Sequence, residues 1–312
     1  MSTEFIIKNL CLEHFDGVGL ASVGRPLTLS IYEQWLSEGF HGEMSYLKRH
    51  LSKKANPQEL LPNARSWIAL TLHYDTDEPL SVDLASEMRS KKMGWVARYA
   101  RGGDYHEIIS RKHKKIISKL SEKFPGEKFL GCVDAQAVLE RDLGSAAGLG
   151  WVGKNTCLID RGRGSFFFIS EILTTLELLA DKPVADHCGT CSRCIDACPT
   201  GAIEEPRQLN ATKCISYWTI ESKVSAPPSL ASRFGQNIFG CDICQDVCPW
   251  NQKARKTLPR PPSSSSGLVD LVAFSKLSDD EIKKMTENSA LSRAKPQHLR
   301  ENALVALKNC SE

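Results

Sequence analysis

The sequence has no run of apolar residues approaching the roughly 18 that a membrane-spanning helix needs. Its densest run, Phe166 to Ile169, has the length of a strand. Its first residues, MSTEFIIKNLCLEHF, show no basic stretch followed by a long apolar core, so they do not read as a secretory signal. It also lacks a strong charge: Lys and Arg number 40 against 37 Asp and Glu, a formal net of +3. That balance is compatible with a polyanionic partner and demands none. No long-period internal repeat is present, which argues against a solenoid. These absences lead to the expectation of a cytoplasmic protein with no membrane association. Structural disulfides are rare in that compartment, so twelve cysteines among 312 residues need another reason.

With 41% hydrophobic and 25% charged residues, the composition is that of an ordinary globular protein, long enough for one large core and a smaller module. Three pairs look like capping boxes ahead of amphipathic segments: Ser30 with Glu33, Asp104 with Glu107, and Ser278 with Glu281. Segments 66–74, 128–134 and 164–175 read as strands between the helices. Residues 1–180 are therefore expected to form an α/β unit of the α+β kind. From Asp181 the strand signals vanish, and cysteines, prolines and turns dominate as far as Lys256. TLPRPPSSSSG (257–267) reads as a linker, followed by a short helical tail to residue 312. The expected organisation is 1–180, 181–256 and 257–312.

Cys188, Cys191, Cys194 and Cys198-Pro199 have the spacing C-x2-C-x2-C-x3-C-P. That is the bacterial ferredoxin run, in which three cysteines wrap one [4Fe–4S] cluster and the fourth ligates the other. A second run supplies Cys241, Cys244 and Cys248-Pro249 and lacks a leading cysteine, a vacancy that Cys214 fills from a distance. The count closes with Cys188, Cys191, Cys194 and Cys248 on one cluster, and Cys198, Cys214, Cys241 and Cys244 on the other. Two tetrathiolate zinc sites are the competing reading, although zinc has no need of the crossed C-x3-C-P element. Cys11, Cys132 and Cys310 are expected to be ordinary thiols, and Cys157 a buried one.

GLGWVG (148–153) matches G-x-G-x-x-G, but it follows a helical stretch and leads into an extended one, the reverse of a dinucleotide-binding turn. Its glycines are expected to let the backbone approach something flat and large.

Several segments together resemble the epoxyqueuosine reductase family: LPNARSWIAL (61–70), ARYARGGDYHEII (97–109), CVDAQAVLERDLGSAAGLGWVGKNTCLI (132–159), the first cysteine run, LNATKCISYWTIE (209–221) and GCDICQDVCPWN (240–251). The resemblance covers roughly residues 1–255, with the motifs in the family's order. It implies a nitroreductase-like domain that holds cobalamin, joined to a ferredoxin-like domain with two [4Fe–4S] clusters and a short helical C-terminus. The implied activity is reduction of the epoxide of epoxyqueuosine to queuosine at the tRNA wobble position, the last step of queuosine biosynthesis. Electrons from the clusters would reduce cobalamin to its cobalt(I) state. Family members often continue into a HEAT-like repeat; here LRENALVALKN (299–309) looks like its first helix, so the tRNA grip lent by the repeat is expected to be missing.

The resemblance makes Asp134 the candidate proton donor, with its pKa raised by burial beside an apolar corrin. From the residues alone, Asp134 could equally cap a helix beginning at AQAVLER. His106 is a candidate pocket residue. Loop residues Val152, Gly153, Lys154, Asn155 and Leu158 are candidate contacts to the corrin amides. Ala97 and Ile169 are candidate lining positions, and Ser216 and Asp242 would reach the cofactor from the cluster side. The expected partners are tRNA carrying epoxyqueuosine and an external electron donor of the flavodoxin or ferredoxin type, and the chain is expected to act as a monomer. Basic runs at 89–92, 111–115 and 252–256 are candidate phosphate contacts, and Tyr217 and Trp218 are candidate platforms for an extruded base. Two further readings compete: a reductive dehalogenase-like corrinoid enzyme, which would usually carry a twin-arginine signal, and an electron-transfer ferredoxin fused to a binding domain.

Overall fold

The computed structural model of the protein describes residues 1–134, 136–258 and 267–311. Most of the expected linker, and Ala135 beside the candidate acid, lie outside the described residues. The strands in chain order are β1 (Gly17–Ser22), β2 (Ser66–His73), β3 (Met93–Val96), β4 (Phe129–Cys132), β5 (Trp151–Val152), β6 (Leu158–Ile159), β7 (Phe167–Thr174), β8 (Ile203–Glu205), β9 (Gln208–Leu209), β10 (Asn237–Phe239) and β11 (Leu268–Asp270).

The main sheet has the order β1–β2–β7–β4 and is antiparallel throughout. β2 is buried at six successive positions, because both faces of the sheet are covered. Helix α1 (Thr3–Leu12) and helix α2 (Tyr105–Lys123) cover one face, where Ile7, Cys11, Ile109, Ile116 and Leu120 pack on Ile68, Leu70 and Ile172. Helix α3 (Glu140–Ala146) covers the other, with Leu143 and Ala147 against Ala69, Cys132 and Leu173. The mixed α/β class expected from the sequence is the one observed.

Local signals account for some helix starts and not others. Ser278 forms a full capping box with Glu281, and Asp104 caps α2 by accepting from the His106 N–H. Ser30 caps nothing, since the helix Leu29–Ser37 begins one residue before it. The carboxylate of Asp142, in α3, instead accepts from the N–H groups of Leu27 and Thr28 at 3.1 and 3.0 Å. A cap supplied from another element leaves no local trace in sequence.

Strand signals beyond 181 are weak because the strands there, β8, β9 and β10, are two or three residues long. β10 pairs in parallel with β3, and β11 pairs antiparallel with the same strand. This three-stranded sheet draws one strand from each of the three expected segments. Beneath it, helix α4 (Pro296–Asn309) buries Leu299, Ala303 and Ala306 completely against Val96, Ile238 and Phe239. The segment expected to begin an appended repeat is therefore part of a shared core. Its Asn302 amide fastens the element further by donating to the carbonyls of Thr219 and Ile238, each at 3.0 Å.

Candidate active site and cluster region

The two cysteine runs fold as matching short turns, Arg193–Asp196 and Ile243–Asp246, that pack on each other. Cys194 is raised to about 11, by burial first and then by the facing thiols of Cys248, Cys188 and Cys191. Cys241 is raised well above the usual thiol range, by burial first and then by Cys214 and Cys198. Several N–H groups point at sulfur. The indole of Trp151 donates to Cys188 Sγ at 3.4 Å, and the Ala202 amide to Cys198 Sγ at 3.2 Å. A cavity of about 250 Å³ is lined by Cys188, Cys191, Cys194 and Cys248.

The loop joining β5 to β6 faces this region. The Lys154 ammonium donates to the carbonyls of Gly189 and Cys191 at 2.7 and 2.9 Å. Asn155 is buried and donates to the Cys244 carbonyl at 3.2 Å. Cys157 forms a sulfur hydrogen bond with Cys244, which lowers its pKa below the usual thiol value. Val152 accepts from Arg207 through its carbonyl, Gly153 lies against Ile159, and Leu158 is buried. The GLGWVG glycines serve close approach of the protein to itself: a Cβ on Gly150 would overlap the Ile159 carbonyl across the β5–β6 hairpin. This arrangement leaves no dinucleotide turn.

Asp134 does not close a strand. β4 ends at Cys132, and Asp134 sits in the turn beyond it with φ +47°. Nor does it cap a helix, because α3 begins only at Glu140. Its side chain is 44% exposed and collects donors: Tyr105 Oη at 2.6 Å, His106 Nε2 at 3.2 Å and, at 3.9 Å, the Arg293 guanidinium. The other ring nitrogen of His106 meets Asp104 Oδ1 at 2.8 Å. With a carboxylate at each nitrogen, both ring nitrogens are placed to donate, an arrangement that favours the protonated ring. The His106 pKa accordingly lies above its ordinary value, through the Asp134 hydrogen bond first, against burial, and then the bond to Asp104. Asp134 is held down at about 2, chiefly by the His106 hydrogen bond. The expectation of a carboxyl raised by burial is thus reversed: its neighbours are donors and cations rather than an apolar wall.

Arg293 was not a sequence candidate. It lies in a short 3-10 turn, Ala290–Arg293, and is 43% exposed. It pairs with Glu221 at 2.8 Å and reaches Tyr46 Oη at 3.4 Å as well as Asp134. Nothing local marks it; only the folding of the C-terminal segment onto β3 and β10 brings it to Asp134.

Of the remaining candidates, Ala97 is buried beside Gly240, and Ile169 is partly buried on β7. The Ser216 N–H bonds the Cys214 thiol. Asp242 is buried and accepts from the Trp95 indole at 2.9 Å and the Arg98 N–H at 2.8 Å. The candidate RNA contacts fare differently. His113, inside the run 111–115, is buried against Ser170 and lowered to about 4 by desolvation. Arg255 bonds the carbonyls of Thr76 and Glu78 and the Asp75 carboxylate. Tyr217 is buried, with its hydroxyl accepting from the Glu43 N–H, and the Trp218 indole donates to the Thr212 carbonyl at 2.7 Å. Tyr217 is thus packed into the fold, while Trp218 stays partly exposed. Among the described residues no helix is long and apolar enough to cross a membrane.

Two family models match the chain: a 4Fe-4S double cluster binding domain over residues 187–251, and epoxyqueuosine reductase QueG, DUF1730, over residues 54–135. A curated relative, epoxyqueuosine reductase of Escherichia coli (strain K12), is 38% identical over 302 residues, which cover 95% of this chain and 78% of the relative. A crystal structure of epoxyqueuosine reductase with a tRNA-Tyr epoxyqueuosine-modified stem loop is similar with a TM-score of 0.85 at 28% identity, covering 98% of this chain and 81% of that one. A structure of epoxyqueuosine reductase from Bacillus subtilis, with an aspartate catalytic loop swung out of the active site, is similar with a TM-score of 0.85 at 27% identity, over 98% and 81% of the two chains.

Proposed function

The chain belongs to the epoxyqueuosine reductase family, and from that premise we infer that it reduces the epoxide of epoxyqueuosine in a tRNA anticodon to the alkene of queuosine. The protein is an oxidoreductase whose cofactors are two [4Fe–4S] clusters and cobalamin. One observation carries the reading: a double-cluster cysteine region joined, within one family-wide match, to the segment that presents Asp134.

The donor set suits the clusters. Buried thiols with raised pKa values are poor thiolates alone and good ones against iron, which deprotonates its ligands. N–H groups aimed at sulfur are the usual outer support of such clusters. Cys188, Cys191, Cys194 and Cys248 would hold one cluster, and Cys198, Cys214, Cys241 and Cys244 the other. Both His106 nitrogens face carboxylates and Cys157 is bonded to Cys244, so these side chains are engaged within the protein beside the site that would hold the corrinoid. Ala97, His106, Asp134, Ile169, Ser216, Asp242 and the loop residues Val152, Gly153, Lys154, Asn155 and Leu158 would line it. When bound, cobalamin supplies a strongly reducing metal centre, and the clusters bring its electrons singly.

The residues themselves supply binding and protons. Asp134 donates to the leaving oxygen a proton that it takes from His106 Nε2, and Asp104 holds the imidazolium in line. Arg293 and Tyr105 fix the Asp134 carboxylate. The partly exposed Cys188–Cys194 run supports entry of electrons there from an external flavodoxin- or ferredoxin-type donor, to a monomeric chain. The tRNA substrate supports a cytoplasmic location.

Two outcomes follow. The His106–Asp134 ion pair exists only while His106 is protonated and Asp134 is not. Its contribution is present below the ordinary histidine value and is lost as pH rises through the raised value of His106. On the acid side it is present above the ordinary aspartate value and is lost as pH falls through about 2. Turnover should therefore fall on an alkaline limb, and pH–kcat profiles of His106→Gln should lose that limb. Arg293→Ala should lower kcat/KM about tenfold, an effect of the size expected for a positioning group. Its melting temperature should be unchanged, because the residue is exposed; an unaltered kcat/KM would remove Arg293 from the site.

The test of the cofactor assignment is the ultraviolet–visible spectrum of protein reconstituted with iron, sulfide and cobalamin, then desalted. Retained corrinoid and cluster bands support the reading. Cluster bands without corrinoid would leave only an electron carrier.

A further inference from the structure

Converting an epoxide to an alkene breaks two C–O bonds, forms one C=C π bond and releases the oxygen as water. It consumes two electrons and two protons. The His106–Asp134 pair accounts for one proton per turnover, so a second proton source is needed.

The core behind Asp134 contains a group the chemistry so far does not use. Glu171 lies on β7 between Ala69 of β2 and Cys132 of β4, among Trp67, Leu143, Ala147 and Leu173. It is 0% exposed, and neither carboxyl oxygen has a hydrogen-bond partner among the described residues. The charged groups that face it are Glu140 of α3, Asp134 and Lys54; the Cys132 thiol also lies within its field. Glu140 reaches the site directly, its Oε1 accepting from the Asp134 N–H at 2.8 Å. Lys54, itself buried, donates to the Val138 carbonyl at 3.1 Å, and both residues line a cavity of about 260 Å³ beside α3.

Resting on the reading above, we propose that Glu171 and Glu140 hold the second proton of the reaction behind Asp134. After the first proton has left for oxygen, the second passes from the carboxylic acids to the Asp134 carboxylate and on to the departing oxygen. Glu140 and Glu171 then regain a proton from solvent between turnovers. Neither touches the substrate; both are positioning residues acting through Asp134. Their titration agrees with this role. Glu171 lies well above the ordinary carboxyl range, through burial first and then the charges of Glu140 and Asp134. Glu140 is raised to about 7 by burial first and then by Asp134. A carboxylic acid kept neutral in a core can serve as a proton donor at neutral pH.

Glu171→Gln keeps the volume and removes the acid. In the reconstituted holoenzyme with saturating epoxyqueuosine-tRNA, kcat should fall about tenfold, the low end of general-acid effects. The loss should deepen as pH rises, KM should be unchanged, and Glu171→Asp should recover part of the rate. Infrared spectra of the protein at pH 7 should show a protonated-carboxyl C=O band that the difference spectrum against Glu171→Gln assigns to Glu171, apart from any signal of Glu140 or Asp246. Glu140→Gln gives a second kinetic arm if Glu171→Gln folds poorly. Turnover of both variants within twofold of the unaltered protein across the pH range, or the absence of the infrared band from the unaltered protein, would overturn the proposal. If the unaltered protein leaves epoxyqueuosine untouched, the functional reading fails, and the infrared band still decides whether Glu171 stores a proton.

Discussion

Cys248→Ala together with Cys191→Ala should leave about half of the iron and sulfide in reconstituted protein, because both changes fall on one cluster of a crossed pair. Cys198→Ala together with Cys191→Ala should leave almost none, because those two fall on different clusters. The argument rests on what each thiol faces. Cys194 lies against Cys248, Cys188 and Cys191, whereas Cys241 lies against Cys214 and Cys198. An uncrossed arrangement predicts the opposite ranking of the two double variants, so counting iron and sulfide separates them. Turnover should vanish in both, since neither leaves a complete electron path. The folded structure should suffer as well: β10 pairs with β3 only a few residues from Cys241, so loss of that cluster loosens the three-stranded sheet.

Asp134→Asn is expected to slow turnover by about 10²- to 10⁴-fold, the range for loss of a general acid. The substitution is chosen for its backbone. Asp134 occupies the left-handed region at φ +47°, which asparagine tolerates, so the turn should survive. The Glu140 bond to the residue 134 N–H should survive too. Tyr105 and His106 would then face an amide that neither stores charge nor donates an acidic proton. Single-turnover rates with pre-reduced holoenzyme report the chemical step; a rate equal to that of the unaltered protein would remove Asp134 from its role.

The sequence was most legible where function imposes spacing on neighbours along the chain. The ferredoxin runs could be read from Cys188 to Cys198 and again from Cys241 to Cys248, because short loops must present thiols at fixed intervals. The strands β2, β4 and β7 were legible from their apolar runs, though β4 stops two residues before the expected end. What could not be read depends on contacts between distant segments. Arg293 reaches Asp134 only because α4 and the preceding turn fold onto β3 and β10. The Asp142 cap on the helix Leu29–Ser37 spans more than a hundred residues. The electrostatics of Asp134 were inverted for the same reason: burial was foreseen, but the donors His106, Tyr105 and Arg293 that outweigh it converge only in three dimensions. Glu171 is the one charged residue of its strand, and the sequence gives no hint that it faces Glu140 and Lys54.

The most direct measurement is mass analysis of nucleosides from epoxyqueuosine-bearing tRNA incubated with reconstituted protein and a low-potential one-electron reductant. The account predicts that epoxyqueuosine disappears and queuosine, lighter by one oxygen atom, takes its place, only when iron, sulfide and cobalamin are all present. Unchanged epoxyqueuosine under those conditions, with both clusters and corrinoid verified in the same sample, would contradict it.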